Sequence, residues 1–196
     1  MNQPLLLDDN YWSERYYNQQ TSWDMQQVSP PIKAYFDQFT DKNAAILIPG
    51  CGNAYEAEYL LQQGFTNITL VDISAVLVTA LQQKLADYPY QVKVLHQDFF
   101  TMHGSFDVIV EQTFFCAIDP SLRAAYVAKM KSLLRPNGML IGLLFNRSFE
   151  GGPPFGGNVV TYKQQFENVF SFVQMEPCYN SIKPRSGSEL FIICKP

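Results

Sequence analysis

Ile46-Leu47-Ile48-Pro49-Gly50-Cys51-Gly52-Asn53-Ala54-Tyr55-Glu56 passes from an apolar run through a tight glycine pair into a helix-like segment. About twenty residues on, a second apolar run, Ile68-Thr69-Leu70-Val71, ends in Asp72, the spacing of a nucleoside-binding layout. The glycines let the backbone turn sharply and approach a ligand that a side chain would strike. An acid at the end of the next strand can accept both hydroxyls of a ribose.

The spacing helps to decide which nucleoside, beside the plainer reading of an ordinary strand-to-helix turn in an α/β domain. A dinucleotide site wants G-x-G-x-x-G, with its third glycine packing a helix closely beside the pyrophosphate. Counted from Gly50, that third position is Tyr55, which is large, whereas Ala54 one residue earlier is small. G-x-G-x-small suits S-adenosylmethionine, which has a compact amino-acid tail and no pyrophosphate. A nicotinamide-dependent reductase shares the layout, and Tyr179 and Lys183 even supply a Tyr-x-x-x-Lys pair. Pro177 and Pro184 bracket that pair and leave little room for its helix.

The 196 residues suit one domain, with 1–43 as an amino-terminal helical cover and 44–196 as the core. A net charge of −4 without Lys/Arg clusters argues against a nucleic-acid partner. No apolar run approaches the length of a membrane span, and Met1 to Asn10 lack the features of a secretory signal. Cys51, Cys116, Cys178 and Cys194 are scattered, without disulfide or metal-ligand spacing, so no metal is expected and a reducing cytoplasm is the default location. Oligomeric state is not legible.

Around this nucleus, strand and helix patterns alternate. Strands are expected at 44–48, 68–71, 91–95, 106–111, 139–145, 170–175 and 190–194. Helices are expected at 10–18, 31–39, 54–63, from Ser74 to about 87, at 120–134 closed by Pro136-Asn137-Gly138, and at 162–169. This is an α/β fold: a seven-strand, mainly parallel sheet with helices on both faces. The connection before the last strand, with Pro177, Pro184 and Gly187, does not favour a helical crossover, so that strand reads as antiparallel. Ligands then bind outside the carboxyl ends of the strands.

Several residues fall at those ends. Asp98 and Phe99 could hold adenine, or cap a helix and fill the core. Glu111-Gln112 could face the amino group of a methionine tail, or water. Phe114 and its neighbours could wall a pocket. Cys116 invites a nucleophile reading, but His96 and His103 form no dyad with it, and no catalytic side chain is assigned. The loop Asn146 to Gly157, with two glycine pairs around Pro153-Pro154, has the form of a lid or of a surface loop. Trp12, Tyr16 and Trp23 lie outside the core pattern and could cover a sulfonium, a permanent cation attracted to aromatic faces.

The run from Ile48 to Glu56, Phe114-Phe115-Cys116-Ala117-Ile118, Gly151-Gly152-Pro153-Pro154-Phe155, and Trp12-x-x-x-Tyr16 followed by Trp23-Asp24 together resemble the thiopurine S-methyltransferase family, especially its plant-type thiol and halide methyltransferase branch. The resemblance spans about residues 12–190. It implies a Rossmann-like class I methyltransferase fold, S-adenosylmethionine as donor with S-adenosylhomocysteine as product, and a small-molecule acceptor. By matching motif, Trp12, Tyr16 and Trp23 would cover the cofactor. Gly50, Cys51 and Gly52 would take its methionine tail, Asp72 and Ile73 its ribose, and Asp98 and Phe99 its adenine, with Glu111 and Gln112 near the methionyl end. Tyr16 stands where relatives often have tryptophan, and Gln112 where they carry tyrosine or arginine. Tyr11, Phe114, Phe149 and Phe155 are the expected acceptor walls. Arg123 matches a family arginine with no evident role. A binding module that holds the cofactor without transferring methyl has the same residues.

Overall fold

The computed structural model describes residues 5–196; Met1 to Pro4 of the expected cover lie outside the described residues. The amino-terminal segment holds α1 (Asp9–Tyr17) and α2 (Pro30–Phe36). The rest alternates: β1 (Ile46–Pro49), α3 (Tyr55–Gln62), β2 (Ile68–Asp72), α4 (Ala75–Lys84), β3 (Val92–His96), β4 (Phe106–Gln112), α5 (Arg123–Leu133), β5 (Leu134–Phe145), α6 (Val159–Glu167), β6 (Phe172–Pro177) and β7 (Glu189–Lys195).

The seven strands form one sheet in the order β3-β2-β1-β4-β5-β7-β6. β1 to β5 pair in parallel, and β7 runs antiparallel between β5 and β6, as the proline-bearing connection requires. The strand order reverses between β1 and β4, the place where an open α/β sheet leaves a crevice at its carboxyl edge. β1 is buried at every position because helices cover both faces. One apolar cluster packs α5 and α6 on one face, and a second packs α2, α3 and α4 on the other.

Local signals explain the element ends. Asp8 caps α1 by accepting the Tyr11 N–H, and the Ser74 hydroxyl accepts the Leu77 N–H at the start of α4. Several boundaries differ from the sequence reading: α2 ends at Phe36, α4 at Lys84, α6 spans Val159–Glu167, β6 spans Phe172–Pro177, and β5 starts at Leu134. Pro136-Asn137-Gly138 does not close a helix, since α5 already ends at Leu133 and the chain turns extended at Leu134. Pro136 disfavours helix at the residue before it. The trio instead occupies a jump in register, where β4 advances from Phe106 to Val108 while β5 advances from Leu134 to Met139. A Cβ on Gly138 would lie 2.8 Å from the Phe106 carbonyl oxygen, so its glycine serves close approach.

Candidate active site

A cavity of about 960 Å³ opens at the carboxyl edge of β1, β2 and β4, at the upper end of the size range for small-molecule sites. Its floor is the β1–α3 turn. Gly50 and Gly52 both have left-handed φ, +56° and +51°, and the Phe114 ring lies so close to Gly50 that a Cβ there would sit 2.2 Å from it. Ala54 also adopts φ +58° as the cap residue before α3. Tyr55, where a third glycine would have stood, turns its hydroxyl to Asp24 (3.3 Å), which also accepts from the Asn53 amide (2.6 Å). The bulky residue therefore ties the cover segment to the glycine turn.

Asp72 ends β2 on the same floor, with Ile73 beside it. Its carboxylate is 8% exposed and accepts the Ser74 N–H at 3.0 Å, with further backbone bonds from Gly52 and Ile73. Burial outweighs those bonds and pushes the carboxyl up to about 6. Asp98 caps a short 3₁₀ turn by accepting the Phe100 N–H at 2.8 Å and also lines the cavity. Phe99 is buried and meets Phe114 edge-on, with ring centres 5.4 Å apart.

The amino-terminal rings close the cavity from above. Trp23 stands edge-on to Trp12 at 5.6 Å and to Tyr16 at 5.9 Å, and all three line it. Two clamps hold this cover. At one end the Asp9 carboxylate accepts the Ala75 N–H (2.9 Å) at the start of α4. At the other, Arg185 donates to the Trp23 carbonyl at 2.8 Å and pairs with Glu189 at 3.2 Å. Arg185 itself lines the cavity.

Three expected contacts lie elsewhere. Glu111 does not line the cavity. Successive side chains on a strand face opposite ways, so Gln112 lines it and the Glu111 carboxylate turns into the core. There it accepts the Phe115 N–H at 3.0 Å and the Tyr126 hydroxyl, and burial pushes it up to about 7. Tyr11 lies beside rather than on the cavity, its ring covered by the Arg15 guanidinium at 3.5 Å. Phe155 leaves the wall because its N–H is bonded to the Cys116 carbonyl at 2.6 Å. Its neighbours Pro153 and Pro154 line the cavity instead, with Phe149 and Phe114.

Arg123 acquires a role here. It donates to the Phe155 and Gly156 carbonyls at 3.0 and 3.1 Å and lies over the Phe115 ring, pinning the Gly-Pro-Pro loop to α5. Neither His96 nor His103 lines the cavity. Burial pushes the Cys51 and Cys116 thiols up, away from the thiolate. Tyr179 is 91% exposed and outside the cavity, so no Tyr–Lys reductase pair faces it.

These residues fit S-adenosylmethionine. The Gln112 Oε1 is a buried acceptor without a hydrogen-bond partner among the described residues, on the wall where a methionyl ammonium would need one. Asp72 offers a carboxylate to a diol, and the glycine turn leaves the backbone bare. Sequence reasoning missed Asp24, Asn53, Asp9 and Arg185. The contacts that place them on the cover span 29 to 162 residues of sequence, and no local pattern marks those contacts.

The sequence model of the family described as Thiopurine S-methyltransferase (TPMT) matches residues 7–185. Probable thiol methyltransferase 2 of Arabidopsis thaliana is 30% identical over 186 residues, which cover 91% of this chain and 81% of that protein. Thiocyanate methyltransferase 1 of Brassica oleracea is 30% identical over 195 residues, covering 95% and 84%. The crystal structure of magnesium protoporphyrin IX methyltransferase from Synechocystis with bound S-adenosylmethionine matches with a TM-score of 0.73 at 15% identity, covering 98% of this chain and 99% of that one. At that identity the likeness is one of fold, that of a class I methyltransferase.

Proposed function

The chain belongs to the thiopurine S-methyltransferase family of S-adenosylmethionine-dependent methyltransferases, and from that premise we propose that its acceptor is a small soft nucleophile, a thiol, thiopurine or halide-like anion, methylated by in-line displacement. The observation that carries this reading is the makeup of the cavity wall opposite the glycine turn. Phe149 and Pro153 make it apolar, Arg147 adds positive charge, and no histidine or ionised thiol faces it. Such a wall suits a polarisable acceptor that arrives as an anion and needs no base.

S-adenosylmethionine supplies an activated methyl on a cationic sulfur with a neutral leaving group. The protein's part is to hold the donor on Gly50, Gly52, Asp72, Asp98 and Phe99, to align the acceptor, and to exclude water. Trp12, Tyr16 and Trp23 serve as the aromatic cover over the cationic sulfur. We also place the protein in the reducing cytoplasm, which its four unpaired, buried cysteines favour, acting on a small molecule with no nucleic-acid or membrane partner. Among the described residues no helix is long and apolar enough to cross a membrane.

Incubation with methyl-labelled donor and a panel of thiols, thiopurines, hydrosulfide, iodide and thiocyanate tests the reading. Labelled product from at least one soft acceptor is expected. Product only from oxygen or nitrogen acceptors would overturn the acceptor class, and donor binding with no product would make the chain a binding module.

The cover makes its own prediction. Trp23→Leu should weaken S-adenosylmethionine roughly tenfold, about 1.4 kcal/mol, within the range for a desolvated cation–π contact. The neutral product should lose less. Calorimetric titration of both ligands checks this, and equal losses would refute the charge-based role.

A further inference from the structure

Glu111 and Tyr126 are completely buried, and neither touches the cavity. Tyr126, on α5, donates its hydroxyl to one oxygen of the Glu111 carboxylate. The carboxylate also takes the backbone N–H groups of Phe114 and Phe115, the second and third residues beyond the end of β4. Between Gln112 and those amides stands Thr113 at φ +59°. A β-branched residue rarely adopts that conformation, and it persists only where the surroundings over-determine it. Here they do, since the Thr113 carbonyl also accepts the Cys116 thiol at 2.8 Å.

Both walls of the cavity hang on this turn. On the donor side, the Phe114 ring packs directly against Gly50. On the acceptor side, the Cys116 carbonyl holds Phe155 and with it the loop that carries Phe149 and Pro153.

We propose that Glu111, held by Tyr126, is a positioning residue: its carboxylate fixes the turn at Thr113 in a strained form, and that turn keeps the donor wall and the acceptor wall in line. The proposal rests on the methyltransferase reading above and adds to it a pair that touches neither reactant. Displacement at a methyl group needs three atoms in line, so a small shift of one wall costs rate more than it costs donor affinity.

Three variants of the full chain test it: Thr113→Gly, Glu111→Gln and Tyr126→Phe. kcat, KM for each reactant, product affinity and Tm are measured on each. Glycine removes the strain at position 113 without removing a hydrogen bond. Thr113→Gly should therefore raise Tm by about 2–4 °C, the shift expected for a modest stabilisation of a chain this long. Glycine accepts the φ of +59° freely, so the turn keeps its form and kcat should stay near the parent's. Glu111→Gln and Tyr126→Phe should lower kcat roughly tenfold with product affinity near the parent's, and their double variant should be no worse than the poorer single, because they act as one unit. Adding Thr113→Gly to either should restore part of that kcat, since glycine holds the turn without the carboxylate; a purely structural role would restore Tm alone. If Glu111→Gln fails to fold, Tyr126→Phe with and without Thr113→Gly decides. Parental kcat in folded Glu111→Gln or Tyr126→Phe, or losses that only track the folded fraction, would overturn the inference while an active parent leaves the methyltransferase reading intact. A parent inactive on every acceptor would overturn both.

Discussion

Asp72→Ala is expected to weaken binding of S-adenosylmethionine and of S-adenosylhomocysteine alike, each by about 100-fold or more, while the protein stays folded. Both ligands carry the same ribose, so the loss should not depend on the sulfonium. Two hydrogen bonds to a buried carboxylate contribute about 1.5–3 kcal/mol each, and 100-fold corresponds to about 2.7 kcal/mol. The same carboxyl gives the effect a pH signature. Burial holds it at about 6 against an ordinary 3.8, and only the ionised form accepts from both hydroxyls. Donor affinity of the parent should be flat above about pH 7 and fall close to tenfold per unit well below 6; in Asp72→Ala that dependence should vanish. The stability effect has the opposite sense. Between 3.8 and about 6 the folded chain holds a proton that the unfolded chain has released, so this group's contribution to stability is lost as pH rises through that window. Removing it should flatten the corresponding slope of Tm against pH. Isothermal titration and thermal melts across pH 5 to 8 check both, and unchanged product affinity in Asp72→Ala would mean that the ribose does not lie there.

Asp72 was legible in the sequence because its position follows from short-range rules: a strand, a glycine turn, a helix, then a strand ending in an acid. The same holds for Trp12, Tyr16 and Trp23, which were spare once the alternating core was assigned, and which converge over the cavity. Glu111 against Gln112 was legible in principle. Neighbours on a strand face opposite sides, so one of the two had to point away from the cavity, although the unbroken Val108-Ile109-Val110 run, buried on both faces, does not say which. Tyr11 against Trp12 is the helical version of that choice. Arg123 and Arg185 are different. Apart from the Arg185–Glu189 pair, their partners are backbone carbonyls of Phe155, Gly156 and Trp23, which any residue could supply, so the sequence carries no complementary pattern for these long-range contacts. Phe155 was misread for a related reason. The direction of a ring in a glycine–proline loop depends on which amides the rest of the fold bonds, here the one that meets Cys116.

The largest stability effect is expected far from any ligand, at Gly142→Ala. Gly142 lies within β5, directly across from Glu111 of β4, and both strands are interior to the sheet. A Cβ built there would sit 1.9 Å from the Glu111 carbonyl oxygen and 2.6 Å from its Cβ. The obstacle is backbone, so no rotamer change relieves it. The strands would have to part, but β4 is also paired to β1, β5 is also paired to β7, and packed clusters fill both faces. A close-packed interior transmits such a shift instead of absorbing it. Forcing a single methyl into such a site costs at least about 3 kcal/mol, at the upper end for overpacking, or roughly 6–12 °C in Tm for a chain of this length. Thermal unfolding of the ligand-free protein measures it, and a midpoint within about a degree of the parent's would contradict the packing described. The damage should also reach the chemistry. Any folded fraction of Gly142→Ala carries a displaced Glu111, hence a displaced turn at Thr113, so its rate per folded molecule should fall along with its stability. The contact between Gly142 and Glu111 thus links strand spacing to turn geometry, and a Cβ at position 142 has no room beside the Glu111 backbone.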